Sequence, residues 1–264
     1  MSLIVKNLSF AYRKNKWVLR NINLVIKDHC ITGLFGPNGS GKSTLLRCLN
    51  GGLKPQIGSV SHNDERIDAL PPGEIAKRIA VVPQQIPINI PFSVLQMVML
   101  GRYAHRNIFG ISTTKDYDIV LTSLERVGAA HLVDLPFDEL SGGERQKVIL
   151  AQALAQQAKT LLLDEPASHL DISHQLALFS LLRSLTKEGY TIFVICHDLI
   201  ISPLFTDLIV LLNNNGEIVA HGPPKDILTS ELITVVFQAP ISLCRKSDSS
   251  ITVSIDPNLL NPLA

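Results

Sequence analysis

The chain has 264 residues, 46% of them apolar, which is enough for one large domain or two small ones with a sizeable core. Its 24 lysine and arginine residues nearly balance 23 aspartate and glutamate residues, so the basic excess typical of nucleic-acid-binding surfaces is missing. The sequence contains no run of about eighteen apolar residues, so it predicts no membrane-spanning helix. The first residues alternate like a strand and do not resemble a signal peptide, so we expect a soluble protein.

Four cysteines, Cys30, Cys48, Cys196 and Cys244, lie far apart in the sequence and form no C-x-x-C pair. Three of them fall within apolar strand or helix patterns. We therefore predict buried, reduced thiols and a cytoplasmic protein.

The N-terminal region predicts strands before the first helix. Residues 2–35 alternate apolar and polar on both sides of the segment RKNK, which predicts an antiparallel hairpin that leads into a buried strand at Ile31–Phe35. A helix follows and ends at Gly51-Gly52. Residues 57–70 predict a second hairpin, and residues 74–78 a short amphipathic turn.

The middle of the chain predicts one strand and then helices. Ile79–Val82 is a short buried strand, and Gln84 follows at its carboxyl end, where open α/β sheets bind ligands. Residues 86–92 carry two prolines and predict a loop. From Ser93, a suitable N-cap, to about Leu135 the apolar spacing is helical.

The later part returns to strand and helix alternation. Thr160–Leu163 is apolar throughout, which is typical of a central strand in a parallel sheet, and Thr191–Cys196 is a second such strand. A helix at 172–187 lies between them, and residues 208–220 predict a hairpin around Asn215-Gly216. The tail beyond Gln238 has weak periodicity and predicts a short appended segment. The alternation predicts an α/β fold.

The segment Gly36–Thr44 fits G-x-x-x-x-G-K-[ST], a loop whose backbone N–H groups bind the phosphates of a nucleotide. A buried strand precedes it and a helix follows, as this motif requires. Lys42 would reach the β- and γ-phosphates, and the Ser43 hydroxyl would bind Mg²⁺. The predicted nucleotide-binding residues are Gly36, Pro37, Asn38, Gly39, Ser40, Gly41, Lys42, Ser43 and Thr44.

Four polar side chains after the other predicted strands suit the chemistry of ATP hydrolysis. Asp164 would hold Mg²⁺, and Glu165 would orient and polarise the attacking water. Gln84 would contact Mg²⁺ and that water, and His197 would donate a hydrogen bond to the γ-phosphate. Alone, each has an ordinary structural explanation, a turn or a satisfied polar residue; together with the phosphate loop they predict a site for ATP and Mg²⁺.

The motifs together resemble those of the ATP-binding cassette (ABC) ATPases. LSGGERQ at 140–146 looks like the signature of that family, and it stands in the expected order with GPNGSGKS, Gln84, LLLDEP, SHLD and His197. The resemblance implies a P-loop NTPase with a RecA-like core, an N-terminal antiparallel β subdomain and an inserted α-helical subdomain. It implies an ATPase domain at 1–237, an insert at about 87–157 and a C-terminal extension at 238–264.

The resemblance also implies a head-to-tail homodimer with two ATP molecules at the interface. Ser141, Gly142, Gly143 and Glu144 would contact the ATP bound by the other subunit. By themselves Ser141 and Glu144 also fit a capping box, S-x-x-E, at the start of a helix. Tyr12, which otherwise ends a strand as an edge aromatic, aligns with the adenine-stacking residue of the family. Asp171 ends the loop through which the two sites communicate.

Residues 91–105, PFSVLQMVMLGRYAH, resemble the helical insert of ATPases that serve iron-siderophore, haem, vitamin B12 and molybdate importers. This implies a subunit at the cytoplasmic face of the inner (cell) membrane. Its loop after Gln84 and its insert would bind permease subunits, which in turn work with a substrate-binding protein, and no nucleic acid would be involved. The candidates for lining the permease groove, which are otherwise core residues of the insert, are Phe92, Leu95, Met97, Met99 and Arg102.

Three positions depart from the family pattern. His169 stands where alanine is common, Ala167 where Thr or Ser is frequent, and Gln152 where arginine is frequent. None is expected to contact phosphate. An ABC ATPase acting on DNA or the ribosome is an alternative, but such chains usually carry coiled-coil inserts, two cassettes or basic extensions. A P-loop kinase or GTPase would lack LSGGE.

Overall fold

The computed structural model describes residues 3–14, 16–85, 90–105, 112–168, 170–239, 241–245 and 251–255. The strands are β1 (Leu3–Arg13), β2 (Lys16–Ile26), β3 (Ile31–Phe35), β4 (Ile57–His62), β5 (Glu65–Arg66), β6 (Ile79–Val82), β7 (Thr160–Asp164), β8 (Thr191–Ile195), β9 (Leu208–Leu212), β10 (Ile218–Gly222), β11 (Ile241–Arg245) and β12 (Ile251–Ile255). The helices are α1 (Lys42–Leu49), α2 (Pro72–Arg78), α3 (Val94–Met99), α4 (Thr114–Arg126), α5 (Gly142–Ala155), α6 (Ile172–Lys187), α7 (Ser202–Phe205), α8 (Pro224–Ile227) and α9 (Ser230–Phe237). Short 3-10 turns lie at Ile67–Ala69, Leu100–His105, Ala130–Leu132 and Phe137–Glu139.

The central sheet has six strands in the order β10-β9-β3-β8-β7-β6. All neighbours pair in parallel except β10, which is antiparallel to β9. Every residue of β3 and β8 is buried, because helices or the second sheet cover both faces. The α/β prediction is confirmed, and the carboxyl ends of β3, β8, β7 and β6 lie side by side at one edge.

A second sheet of four strands, β2-β1-β4-β5, forms the N-terminal β subdomain. The predicted hairpin is confirmed: β1 and β2 pair antiparallel, and β4 pairs on the other side of β1. Apolar side chains of this sheet share one core with α1 and with one face of the central sheet, where Leu162 and Phe193 are fully buried. The phosphate loop therefore lies between the two sheets.

The other face of the central sheet is covered by helices. Side chains of α3, α4, α5 and α6 form a single apolar core with β7 and β8. Ser93 caps α3, as predicted, and its hydroxyl accepts the backbone N–H of Gln96. The loop predicted at 86–92 lies mostly outside the described residues, and the domain and insert boundaries stay predictions.

The structure corrects the predicted permease-contact set. Met97 is 3% and Arg102 5% exposed, so both belong to the interior of the insert. The guanidinium of Arg102 donates to Asp116 Oδ1 (2.8 Å) and to the carbonyl of Ala155 (2.8 Å), because a buried charge needs partners. These contacts tie the turn after α3 to α4 and α5, and they leave Arg102 unavailable to a partner protein.

Two further sequence predictions concern the thiols and the tail. Cys48 and Cys196 are buried, Cys30 is partly buried, and the Cys244 side chain lies outside the described part of the structure. Burial raises the pKa of the Cys48 thiol to about 12, so it stays protonated.

The tail forms an antiparallel hairpin of β11 and β12, which its weak periodicity did not predict. Across the described ranges, no helix is both long and apolar enough to cross a membrane.

Candidate active site

The loop between β3 and α1 is built on close backbone contacts. A side chain at Gly36 would meet the carbonyl of Leu212 at 2.3 Å, and Gly41 has a φ of +101°, which disfavours any other residue. The Ser40 hydroxyl is buried and finds no hydrogen-bond partner in the described structure. A tight loop with glycines at its turns and an unpaired buried hydroxyl fits the binding of an anionic group.

Lys42 lies inside this loop. Its Nζ donates to the carbonyls of Gly36 and Pro37, each at 2.9 Å. Burial lowers the pKa of its ammonium, and the nearby carboxylates of Glu165 and Asp164 oppose that change. The ammonium is thus held over the loop, where it adds positive charge to the backbone N–H groups.

Ser43 and Asp164 form a pair suited to a hard cation. The Ser43 hydroxyl donates to Asp164 Oδ1 at 3.2 Å, which joins the start of α1 to the end of β7. Burial raises the pKa of Asp164, and the hydrogen bond from Ser43 opposes that rise. A divalent cation would favour the ionised carboxylate, and hydroxyl and carboxylate oxygens are the ligands that Mg²⁺ prefers. These residues therefore fit Mg²⁺.

Glu165 brings together three of the predicted catalytic side chains. Gln84 Nε2 donates to Glu165 Oε2 at 2.5 Å, and His197 Nε2 hydrogen-bonds Glu165 Oε1. The three residues follow β6, β7 and β8, so the strand order places them next to one another. Glu165 has a φ of +49°, a left-handed conformation that is costly away from glycine and that fixes where its carboxylate lies.

Asp198 holds the turn next to His197, although no motif in the sequence predicted this role. Its carboxylate accepts the backbone N–H groups of Ile200 (2.8 Å) and Ile201 (2.7 Å), which closes the turn after His197. An aspartate just after a strand-terminal histidine is the available signal, since Asp favours such turns.

Ser141 is the N-cap of α5, as predicted. Its hydroxyl accepts the N–H of Glu144 at 3.4 Å, and Glu144 Oε2 accepts the N–H of Ser141 at 2.9 Å. Hydrogen bonds from Ser141 lower the pKa of Glu144. Ser141 and Gly142 are exposed, and none of the hydrogen bonds found in the described ranges joins this segment to the phosphate loop. The structure therefore does not bring the LSGGE segment to the loop of the same chain.

Asp171 caps α6, beside the LSGGE segment. Asp171 Oδ1 accepts the backbone N–H of His174 (2.9 Å) and the hydroxyl of Ser173 (2.8 Å), and these bonds lower its pKa well below the usual range. Leu170, one residue earlier, lies close to Gly143. His169 lies outside the described residues.

Tyr12 lies next to the phosphate loop through Thr44. The Tyr12 hydroxyl is 3.3 Å from Thr44 Oγ1, and the ring packs edge-on against Phe10 with centroids 4.9 Å apart. The Tyr12 residue is 57% exposed, so part of its ring is open to solvent. An exposed aromatic anchored beside a phosphate loop fits a role in stacking on a nucleotide base.

The chain is similar to known proteins both in sequence and in fold. A family model described as ABC transporter matches residues 19–168, more than half of the chain. The ferric enterobactin transport ATP-binding protein of Escherichia coli (strain K12) is 38% identical over 233 residues, which cover 88% of this chain and 85% of that protein. The cobalamin import ATP-binding protein of Halobacterium salinarum is 37% identical over 227 residues, 86% of this chain, and this chain spans only 56% of its length.

A solved structure described as an inward-facing conformation of a metal-chelate type ABC transporter is also similar. The TM-score is 0.83 at 30% sequence identity, with 98% of this chain and 99% of the other covered. Family match, sequence identity and fold similarity thus point to the same family. The chain belongs to the ABC transporter family.

Proposed function

We propose that this chain is the ATP-hydrolysing subunit of an ABC importer, acting on separate permease subunits that take up a metal chelate of the iron-siderophore, haem, cobalamin or molybdate type. The observation that carries the hydrolytic part is the Gln84–Glu165–His197 group beside the phosphate loop. The chelate class follows the similarity to the enterobactin, cobalamin and metal-chelate proteins. The chain would lie at the cytoplasmic face of the membrane, held there by the permease.

The residues of the loop would bind the triphosphate, and Lys42 would lie against its terminal phosphates. Mg²⁺ would be held by Ser43 and Asp164, with Gln84 close by, and it supplies positive charge that offsets the charge of the phosphates. Glu165 then orients a water and accepts its proton. His197, which now bonds Glu165, donates a hydrogen bond to the γ-phosphate.

The exposed start of α5 supports a head-to-tail dimer. This start is exposed, and no hydrogen bond found among the described residues joins it to the phosphate loop of the same chain, so we infer that an anion bound at its N–H groups belongs to a second molecule. The ATP of a second copy satisfies this requirement. Ser141, Gly142, Gly143 and Glu144 would contact that ATP, and Asp171 would lie at the same interface.

The insert carries a shallow apolar groove that we assign to the permease. Phe92, Leu100 and Tyr117 are exposed, Leu95 is half-buried, and the buried Met99 forms part of the floor. Exposed apolar side chains gathered on one subdomain are typical of a protein interface. Phe92, Leu95 and Met99 thus remain from the sequence-based set, and Leu100 and Tyr117 join them.

Glu165→Gln tests the hydrolytic assignment. The amide keeps the size of the side chain but no longer accepts a proton, so we expect ATP binding near the wild-type affinity, phosphate release lowered at least about 100-fold, and a dimer that persists with ATP. A phosphate-release assay measures turnover, and light scattering after size exclusion measures the fraction of dimer. Glu125→Gln, an exposed change on α4, is the matched control. Wild-type turnover by Glu165→Gln would remove Glu165 as the base.

A further inference from the structure

The end of β1 that carries Tyr12 lacks a regular strand on one side. Pairing between β1 and β4 ends at Ser9 and Ile57. On the other side, the register between β1 and β2 shifts both before and after Ala11. Tyr12 thus lies on a strand end whose backbone bonding is irregular, although stacking on a base requires a ring held in one orientation.

The side chain of Gln56 replaces the missing strand. The backbone N–H of Ala11 donates to Gln56 Oε1 at 2.9 Å, and Gln56 Nε2 donates to the carbonyl of Ala11 at 2.8 Å. The backbone N–H of Gln56 itself donates to the backbone carbonyl of Ser9 at 3.1 Å. The carboxamide therefore satisfies both backbone groups of the residue next to Tyr12, as a further residue of β4 would.

We propose that Gln56 is a positioning residue for the nucleotide base: its bidentate bond to Ala11 fixes the end of β1 and so holds the Tyr12 ring in place for adenine. The inference rests on the proposed function, because it assumes that ATP binds at the phosphate loop and that Tyr12 stacks on its base. Gln56 is exposed and has no place in the phosphate or metal contacts described above.

Two matched probes separate base contacts from phosphate contacts. ADP and inorganic pyrophosphate, each with Mg²⁺, differ by the adenosine group, and neither is hydrolysed at the γ-position or closes a dimer. In Gln56→Ala we expect ADP affinity to fall by about fivefold to tenfold, at the low end of what aromatic stacking on a base contributes. Pyrophosphate affinity should stay unchanged. Titration calorimetry, by competition for the weaker probe, measures both on the full chain.

Further variants test whether Gln56 acts through the ring. Once Tyr12→Ala has removed the ring, adding Gln56→Ala should cause no further loss of ADP affinity. Gln56→Glu keeps the acceptor for the N–H of Ala11 but places a carboxylate oxygen against the Ala11 carbonyl oxygen, and because these two oxygens repel, its loss should be at least as large as that of Gln56→Ala. Lys6→Ala, an exposed change on β1, should leave both affinities unchanged.

Each contrary result points to a different failure. Unchanged ADP affinity in Gln56→Ala overturns the inference. An equal loss of ADP and pyrophosphate affinity also overturns it, because Gln56 would then support the phosphate loop or the general fold. Additive losses in the double variant exclude action through Tyr12. If wild-type protein binds neither ADP nor ATP, the proposed function itself fails.

Discussion

The buried Lys42 and the half-buried Asp164 carry opposite charges at the phosphate loop, and the surroundings shift their pKa values in opposite directions. Burial lowers the pKa of Lys42 and raises that of Asp164, so each charged form is disfavoured by its surroundings. A phosphate anion favours the charged lysine, and a divalent cation favours the charged aspartate. The site is thus arranged so that a nucleotide and its metal relieve both effects together.

His62 gives the protein a pH dependence that is separate from the active site. It is 2% exposed, its Nε2 lies 3.1 Å from Thr160 Oγ1, and its Nδ1 lacks a partner within the described structure. Burial and then the charge of Arg78 lower the pKa of its imidazole, and Glu65 opposes them. The folded protein therefore prefers neutral His62, while the unfolded chain protonates it near its ordinary pKa of about 6.5.

Because the unfolded state binds more protons between the two pKa values, the free energy of unfolding should fall as the pH drops below about 6.5. One proton contributes at most about 1.4 kcal/mol per pH unit. Urea unfolding of wild type and His62→Gln between pH 7.5 and pH 5.5, on the order of two units, measures the difference. Glutamine keeps a donor for Thr160 and does not titrate, so it should flatten this slope. Parallel slopes in the two proteins would contradict the prediction.

Ser141, the N-cap of α5, has two roles in the proposed assembly. Ser141 caps the helix, and in the proposed dimer it also faces the γ-phosphate of the partner's ATP. A good cap accepts a hydrogen bond from the backbone, and aspartate does this as well as serine. A carboxylate at position 141, in contrast, would lie directly against the γ-phosphate, and the like charges would repel.

Ser141→Asp should therefore separate the two demands. We expect the variant to stay folded, with at most about 1 kcal/mol of stability lost, because the new carboxylate caps the helix but meets Glu144 Oε2, which the Ser141 hydroxyl contacts at 2.6 Å, while ATP hydrolysis is lost. Ser141→Ala should lose about 1 kcal/mol of stability, because the helix loses its cap. Denaturant unfolding and phosphate release measure the two properties. Wild-type hydrolysis by Ser141→Asp would show that α5 does not meet a phosphate.

For the whole molecule, the proposed dimer makes each active site from two chains. Lys42→Ala damages the phosphate loop and leaves α5 intact, whereas Ser141→Asp does the reverse. In a mixed dimer, the intact loop of one chain would meet the intact α5 of the other and form one complete site. We expect each variant alone to be inactive and an equimolar mixture to regain hydrolysis.

Phosphate release from the two variants, alone and mixed, is the measurement. Mixing each variant with the double variant Lys42→Ala, Ser141→Asp is the control. In these mixtures either every phosphate loop or every α5 is damaged, so no dimer has a complete site. A mixture no more active than its parts would argue against a site shared between chains.

Local patterns in the amino-acid sequence predicted most of the strands and helices and the candidate chemistry of the site. Apolar runs such as Thr160–Leu163 are local patterns, and they identified the buried strands. The motif residues Lys42, Asp164 and Glu165 follow directly from residue type and spacing, because phosphate and Mg²⁺ binding require those groups. The predicted N-cap at Ser93 and the predicted capping box at Ser141 are likewise local, since their partners lie three residues away.

Contacts between residues distant in sequence became known only from the folded chain. The order β3-β8-β7-β6 brings Gln84, Glu165 and His197 into contact, and no local pattern encodes which strands are neighbours. The sequence predicted Arg102 at the permease groove, whereas the structure places it in the interior, bonded to Asp116. Gln56 meets Ala11 across 45 residues of chain. Such pairs exist only once packing has placed the elements, because a side chain's partners depend on distances that a single sequence does not contain.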